Sequence, residues 1–129
     1  MTVGILGLGK MGRAMAERLA EDGVDLVVWN RSPGKAEGLA AKVAETPAEL
    51  AETCDVILSI LSDDAAIATV YDGDGGLLST DLAGKTVVEM TTTAPETTRA
   101  LEPRVQAVGG HFLECPVGGT VGPALKGAL

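Results

Sequence analysis

Three glycines near the start of the chain have the spacing of a phosphate-binding turn. An apolar run at residues 3–6 leads into a G-x-G-x-x-G pattern, and a helical pattern follows it. The six residues of the turn are Gly7, Leu8, Gly9, Lys10, Met11 and Gly12. The first glycine permits a tight turn, the second lets a pyrophosphate approach the backbone, and the third lets the helix press against the sheet. Free N–H groups of the first helical turn would then face the phosphates, so we predict a dinucleotide-binding turn.

The end of the second predicted strand carries the residues that would choose between NAD and NADP. A dinucleotide fold normally has an acid about 20 residues after the glycine turn, where it binds the ribose hydroxyls of the adenosine. Here Asn30 is neutral, Arg31 follows it, and Ser32 adds a hydroxyl. A guanidinium can bind a 2′-phosphate, which a carboxylate would repel. The step therefore favours NADP, with NAD the weaker candidate. The alternative is an ordinary solvated turn over residues 30–34, whose composition suits one.

Strand and helix patterns alternate along the rest of the chain. We predict strands near residues 3–6, 25–29, 43–44, 55–61, 85–90 and 111–114, and a loop over residues 71–81. Helices are expected after the glycine turn, over residues 33–42 and 47–53, after the Ser62-Asp63-Asp64 turn, and from about residue 94. This alternation indicates an α/β fold of the Rossmann type, a doubly wound and mainly parallel sheet with helices on both faces.

Two of these helix starts have the spacing of a capping box, in which a Thr and a Glu three residues later satisfy each other's backbone donors. One pair is Thr46 with Glu49, and the other is Thr93 with Glu96. Pro103 falls inside the helix that would follow the second pair. Because proline lacks a backbone donor and clashes with the preceding turn, we expect a kink or an early stop there.

Bulk properties limit the possible functions. The 129 residues fit one domain, and their 46% hydrophobic content argues against disorder. A formal net charge of −8 argues against nucleic acid and anionic membranes as partners. The two cysteines lack metal-ligand spacing, no apolar run approaches a membrane span, and no targeting signal is recognisable. We therefore expect a cytoplasmic protein with no metal site and no membrane segment.

Five segments, taken together and in order, resemble the beta-hydroxyacid dehydrogenase family. They are residues 7–12, Asn30-Arg31-Ser32, Leu61-Ser62, Met90-Thr91-Thr92 and Pro116-Val117-Gly118-Gly119. The family includes 3-hydroxyisobutyrate dehydrogenase, tartronate semialdehyde reductase and 6-phosphogluconate dehydrogenase, with imine reductases nearby. The chain looks most like the 3-hydroxyisobutyrate dehydrogenase-like members. The resemblance implies an NADP-dependent oxidoreductase that interconverts a small 3-hydroxy acid and its semialdehyde by hydride transfer.

The resemblance also implies a role for each segment. The glycine turn would surround the pyrophosphate, and Asn30, Arg31 and Ser32 the 2′-phosphate. Leu61 and Ser62 would contact the ribose and nicotinamide region, and Thr92 the nicotinamide end. The carboxylate of a small substrate would bind to Gly118, Gly119 and Thr120. This chain departs from the family's pattern twice, with Ser62 where a proline usually follows the leucine and with Gly118 in place of the substrate-contacting serine.

The family's acid–base lysine lies on a long helix beyond the dinucleotide domain, and no lysine of this chain matches it. We therefore assign no catalytic residue and no metal ligand, and we interpret residues 1–129 as a C-terminally truncated dinucleotide-binding domain. The helical catalytic and dimerisation domain would be absent, and the full-length form would be a homo-oligomer. Three other readings stay open: a noncatalytic NADP-binding or interaction module, an imine reductase-like enzyme, and an S-adenosylmethionine-dependent transferase, whose fold also begins with a glycine-rich strand exit. The spacing of the glycines and the Asn30-Arg31 end of the second strand favour NADP over the transferase.

Overall fold

Six parallel strands form one sheet in the computed structural model, which describes residues 1–116, 124 and 125. The strands are β1 (Thr2–Leu6), β2 (Asp25–Trp29), β3 (Lys42–Val43), β4 (Val56–Ser59), β5 (Thr86–Glu89) and β6 (His111–Glu114). Their order across the sheet is β3-β2-β1-β4-β5-β6, and every neighbouring pair is parallel. The chain therefore starts in the middle of the sheet, winds outward to β3, and returns to the other side of β1.

Four α-helices and two short 3-10 turns connect these strands. The helices are α1 (Lys10–Glu21), α2 (Pro47–Thr53), α3 (Asp64–Asp72) and α4 (Pro95–Ala107), and the 3-10 turns are Pro33–Ala36 and Leu77–Ser79. This order and these crossovers are those of a doubly wound Rossmann fold, so the predicted fold class is confirmed. In such a fold a ligand binds where the winding reverses, which here is the crevice between the carboxyl ends of β1 and β4.

The helices lie on both faces of the sheet because the strand side chains alternate between two apolar cores. Val3 and Ile5 of β1 belong to the core that packs against α1. Leu6 belongs to the opposite core, which contains buried residues of α2, α3 and α4. Burial on both faces fixes the register of β1, and that register in turn fixes where the glycine turn leaves the sheet.

The predicted helix over residues 33–42 is wrong. Only the 3-10 turn Pro33–Ala36 forms, and Gly38 has a φ of +82° that no α-helix contains. Two glycines within five residues make a helix unfavourable there, and this cost outweighs the weak apolar pattern of alanines around Leu39. The predicted loop over residues 71–81 also needs correction, because it includes the last turn of α3 and the 3-10 turn at Leu77.

The predicted helix starts at Thr46 and Asp63 are confirmed. The Thr46 hydroxyl accepts a hydrogen bond from the Glu49 N–H at 3.0 Å, and an Asp63 carboxylate oxygen accepts one from the Ala66 N–H at 2.8 Å. The return bond of the first capping box differs from the prediction, because the Glu49 carboxylate accepts from the N–H of Glu45, at 3.4 Å. Both caps satisfy donors that would otherwise lack a partner at the helix start.

Helix α4 begins and ends differently from the prediction. Ala94 is its N-cap and Pro95 its first residue, so Thr93 does not cap it. The helix runs through Pro103 to Ala107, and the predicted early stop is therefore wrong. Pro103 is exposed, whereas Leu101 and Val105 beside it are buried against the sheet. Packing of that apolar face offsets the backbone donor that proline removes.

Candidate functional site

The glycine turn joins β1 to α1 at the carboxyl edge of the sheet. Gly7 has a φ of +102° and its N–H donates to the carbonyl oxygen of Trp29 at 2.9 Å. A Cβ atom at Gly7 would collide with the carbonyl oxygen of Ile60, and a Cβ at Gly12 would collide with the carbonyl oxygen of Gly7. By contrast, nothing lies within 4 Å of a Cβ built on Gly9. Gly7 and Gly12 are thus required by the protein itself, whereas Gly9 leaves open space in front of the backbone.

The N-terminus of α1 faces that open space. Arg13 is the first residue whose N–H bonds back into the helix, to the carbonyl oxygen of Gly9 at 2.9 Å. The N–H groups before it therefore have no partner in the helix. No acidic side chain lies in the first turn and no side chain caps the helix. Free donors and an uncompensated positive helix end suit an anion, so the turn fits a pyrophosphate group.

A cavity of about 490 Å³ lies above the carboxyl ends of β1, β2 and β4. All six residues of the glycine turn line it. Trp29, Asn30, Arg31 and Lys35 line the β2 side. Residues 60–63 and four residues of α3, Ala65, Ala66, Thr69 and Val70, line the β4 side. The cavity therefore occupies the crevice where the winding of the sheet reverses, and it brings together three of the segments that the sequence singled out.

Asn30 connects the β2 end of the cavity to the glycine turn. Its side-chain oxygen accepts from the N–H of Leu8 at 2.9 Å, and its side-chain nitrogen donates to the carbonyl oxygen of Ser32 at 3.1 Å. The amide thus holds two loops with one side chain. Arg31 is exposed and lines the cavity, whereas Ser32 is exposed and is not among the lining residues.

Lys35 is a cavity residue that the sequence interpretation missed. It lies in the segment 33–42, for which the sequence predicts a helix, but the 3-10 turn brings it to the cavity wall. Its carbonyl oxygen accepts from the Arg13 guanidinium at 2.7 Å, so helix α1 holds this turn in place. Arg13 also pairs with Glu17 at 3.1 Å. Gly34 and Gly38 were the signal that could have indicated a turn here instead of a helix.

The β4 end of the cavity is formed by Leu61 and Ser62. The N–H of Leu61 donates to the hydroxyl oxygen of Thr91 at 2.8 Å, which ties this loop to the loop after β5. Asp63 also lines the cavity, although one of its oxygens is used by the α3 cap. Thr92 is exposed and does not line the cavity. Of the predicted cofactor residues, only Ser32 and Thr92 therefore lie outside the cavity wall.

Two buried side chains of the domain have a raised pKa. Burial, followed by the proximity and hydrogen bond of Glu89, raises the pKa of the Tyr71 hydroxyl well above its ordinary value. Burial also raises the pKa of the Cys54 thiol, which makes that thiol a poor nucleophile. Neither residue lines the cavity. The arrangement offers sites for phosphates and nucleotides, and we assign no nucleophile to it.

The predicted substrate residues Gly118, Gly119 and Thr120 lie outside the described residues. Within residues 1–116, 124 and 125, no group of three or more His, Cys, Asp or Glu side chains could hold a metal ion. In the same residues, no helix has the length and apolar character needed to cross a membrane.

Curated proteins with similar sequences include some named as reductases or dehydrogenases and others named as a nuclear factor. Glyoxylate/succinic semialdehyde reductase 1 from Arabidopsis thaliana is 39% identical over all of this chain and 46% of its own length. Mouse mitochondrial 3-hydroxyisobutyrate dehydrogenase is 33% identical over 98% of this chain and 39% of its own. The cytokine-like nuclear factor N-PAC from Anopheles gambiae is 38% identical over 98% of this chain and 23% of its own. The chain thus spans less than half the length of each of these relatives.

Solved structures with the same fold include oxidoreductases. Psf3 in complex with NADP+ and 2-OPP is 35% identical, with a TM-score of 0.90 over 97% of this chain and 45% of that one. The reductive aminase from Aspergillus terreus, in complex with NADPH4, cyclohexanone and allyl amine, is 29% identical, with a TM-score of 0.83 over 95% of this chain and 43% of that one.

A family model described as the NAD binding domain of 6-phosphogluconate dehydrogenase matches residues 2–129, which is nearly the whole chain. Together with the relatives above, this match confirms the resemblance drawn from the glycine turn and the four later segments. The glycine turn, the doubly wound sheet and the family model agree, and the chain belongs to the NAD-binding domain family of 6-phosphogluconate dehydrogenase.

Proposed function

We propose that this chain is the NADP-binding domain of an oxidoreductase that interconverts a small 3-hydroxy acid and its semialdehyde by hydride transfer. The observation that carries the proposal is the cavity over β1, β2 and β4, where the backbone donors of the glycine turn and the side chains of Arg31 and Lys35 line one space. Relatives named as semialdehyde reductases and a 3-hydroxyisobutyrate dehydrogenase support the reaction class.

Each wall of the cavity has a part in this proposal. The turn at residues 7–12 holds the pyrophosphate, and Arg31 binds the 2′-phosphate with help from Lys35 and Ser32. A bidentate guanidinium matches the geometry of a phosphate, and the lysine adds a second positive charge. Asn30 keeps the loop that carries Arg31 at a constant distance from the glycine turn, through its bonds to Leu8 and Ser32.

The nicotinamide half of the cofactor lies on the β4 side, over Leu61 and Ser62, with Thr92 near its end. When bound, the cofactor supplies the hydride chemistry, and the residues of this domain orient it and shield it from water. The carboxylate of the substrate binds to the backbone N–H groups of Gly118, Gly119 and Thr120 in this proposal, which rests on the family resemblance.

The whole enzyme is proposed to have a second, helical domain that supplies the acid–base lysine, with residues 1–129 forming the dinucleotide-binding domain. The lysines of the described cavity, Lys10 and Lys35, lie among phosphate-binding elements, and we give neither a catalytic role. A homo-oligomer and a cytoplasmic location complete the proposal, although three relatives have names that place them in mitochondria or chloroplasts.

Two specific observations favour other functions for the same fold. A relative of 38% identity is named as a cytokine-like nuclear factor, which supports a noncatalytic NADP-binding or interaction module. Structural neighbours named as imine reductases support reduction of a C=N bond instead of a C=O bond. Both alternatives keep the cofactor cavity, so cofactor binding is the shared first step to test.

The experiment is a fluorescence titration of the purified chain with NADPH and NADH, with S-adenosylmethionine as a competitor. We expect NADPH to bind more tightly than NADH by at least about tenfold, because a charge-assisted phosphate contact contributes about 1.5–3 kcal/mol. S-adenosylmethionine should not displace NADPH. Tighter binding of S-adenosylmethionine, or binding of neither dinucleotide, would contradict the proposal.

A further inference from the structure

A buried network of hydrogen bonds lies beneath the Leu61 end of the cavity. Ser59 is the last residue of β4 and Glu89 is the last residue of β5, and the two are register partners on adjacent strands. Both side chains are completely buried. A carboxyl group is unfavourable to bury unless it is fully hydrogen-bonded, so the position of Glu89 requires an explanation.

Both oxygens of Glu89 accept hydrogen bonds, and the two donors belong to different elements. The Tyr71 hydroxyl on α3 donates to Oε2 at 2.7 Å, and the Thr91 N–H donates to Oε1 at 3.2 Å. The Thr91 hydroxyl oxygen then accepts from the Leu61 N–H at 2.8 Å. One continuous hydrogen-bond network therefore joins α3, the loop after β5 and the loop after β4.

The topology indicates which part of a dinucleotide would lie over this hydrogen-bond network. Arg31 follows β2 on one side of β1, and Leu61 follows β4 on the other side. A dinucleotide that crosses the crevice with its 2′-phosphate at Arg31 must therefore place its other nucleotide over the end of β4. Leu61 lines the cavity there, whereas Glu89, Tyr71 and Thr91 do not.

We propose that Glu89, Thr91 and Tyr71 are positioning residues that hold the Leu61-Ser62 loop against the nicotinamide half of the cofactor. This inference rests on the proposed NADP function. Tyr71 belongs to the same helix whose first turns line the cavity, so Glu89 sets the spacing between that helix and the loop.

The backbone hydrogen bonds of the sheet end at Ile60, so the loop that follows β4 depends on a side chain for its next bond. The N–H of Ile60 donates to the carbonyl oxygen of Leu6 at 2.9 Å, and the N–H of Met90 donates to that of Ser59 at 2.8 Å. Leu61 follows Ile60, and the acceptor for its N–H is the side-chain hydroxyl of Thr91 instead of a backbone carbonyl. An apolar group in place of Thr91 would fill the same volume but would leave that N–H without its acceptor.

The test compares two ligands in the variant Thr91→Val, which removes the hydroxyl and keeps the shape. NADPH spans the whole crevice, whereas adenosine 2′,5′-bisphosphate carries only the adenosine and its phosphates. We expect NADPH to bind about tenfold more weakly, the usual effect of an unpaired buried donor, with no change for the bisphosphate. The matched control is Thr98→Val, a buried threonine on α4 whose hydroxyl bonds near the start of its own helix, and it should bind both ligands as the wild type does.

Two further variants keep the inference open to refutation. The variant Thr91→Ser retains the oxygen and should bind NADPH as the wild type does. If Thr91→Val does not fold, judged by circular dichroism, Tyr71→Phe must show the same selective loss of NADPH binding. Equal losses for both ligands, or no loss for either, would overturn the positioning role. A wild-type chain that binds neither ligand would instead refute the proposed function.

Discussion

Asn30 illustrates how one side chain serves both the fold and the specificity of the cavity. Its amide accepts from Leu8 and donates to the carbonyl of Ser32, and only a group with both an acceptor and a donor can make these two bonds. An aspartate could accept from Leu8, but it could not donate and it would repel a 2′-phosphate. Asn30 therefore favours NADP both by holding the loop that carries Arg31 and by lacking a negative charge. The sequence alone suggested only the missing charge.

Tyr71 leads to a prediction at the same scale, because its raised pKa affects stability. The unfolded chain would ionise its tyrosine near pH 10, its usual pKa, whereas the buried hydroxyl stays protonated at that pH in the folded state. Above about pH 10 the unfolded state therefore binds fewer protons, and the free energy of unfolding falls as the pH rises through the folded-state pKa. Urea denaturation between neutral and alkaline pH should show this decline.

The variant Tyr71→Phe provides the comparison. It should lose the part of the decline that Tyr71 causes, while the raised pKa of Cys54 affects both proteins alike. Because the chain contains one tyrosine, the ultraviolet absorbance of tyrosinate reports this group alone. Identical slopes of stability against pH in the two proteins would contradict the assignment.

At the scale of elements, two glycines of the turn should respond differently to substitution. Gly12→Ala places a Cβ against the carbonyl oxygen of Gly7, and we expect overpacking to destabilise the fold by about 1–3 kcal/mol. Gly9→Ala has open space and an ordinary φ of −63°, so its main cost is that alanine is a poorer N-cap than glycine, and the stability should fall by less than about 1 kcal/mol.

Gly9→Ala, the variant with the smaller effect on stability, should have a clear effect on cofactor binding. The Cβ of Gly9→Ala occupies the space in front of the free N–H groups, so NADPH affinity should fall by at least about tenfold in a protein that remains folded. The measurements are urea denaturation for stability and NADPH titration for binding. Unchanged NADPH affinity in Gly9→Ala would mean that the pyrophosphate does not lie on this turn.

Most of the sheet could be predicted from the sequence, because strands such as Val56–Ser59 are apolar runs between clear breaks and their burial decides their conformation. The 33–42 segment could not, since its single Leu39 suggested a helix that Gly34 and Gly38 oppose. Helix α4 begins at Pro95 because proline suits a first helical position, a signal that competed with the nearby capping-box spacing.

The cavity was predictable only in part, for a related reason. Its glycine turn has a recognisable spacing, whereas Lys35 reaches the wall only because Arg13 holds the 3-10 turn against α1. The pairing of Tyr71 with Glu89 joins a helix to a strand 18 residues away. No periodic pattern reports such a contact, because it depends on how α3 packs on the sheet.

At the scale of the whole molecule, overall charge and local charge have opposite signs. The chain has a formal net charge of −8, yet the cationic side chains of Lys10, Arg31 and Lys35 line one cavity beside the positive end of α1. The net charge provides no attraction for an anionic cofactor, so we expect binding to depend on the charges and close contacts of this cavity. We therefore expect a strong dependence of affinity on individual residues.

We predict that the 129-residue chain assayed alone binds NADPH but shows no dehydrogenase turnover. General acid–base catalysis contributes about 10²–10⁴-fold, and no described cavity residue is assigned that task. Asp63, the cavity's carboxylate among the described residues, already caps α3. The assay is NADP reduction with 3-hydroxyisobutyrate. Turnover that disappears on mutation of a residue within this chain would contradict the prediction and identify a catalyst here.

The most direct test of the central claim, that the crevice binds NADP through its 2′-phosphate, is the NADPH and NADH affinity of Arg31→Ala. Arg31 is exposed and lines the cavity, so its removal should leave the fold intact. The matched control is Arg18→Ala, an arginine of α1 that is outside the cavity wall and pairs with Asp22. We expect NADPH binding by Arg31→Ala to weaken by about 1–3 kcal/mol, with NADH binding nearly unchanged and both affinities unchanged in the control. Equal losses for NADPH and NADH, or no loss for either, would contradict the account.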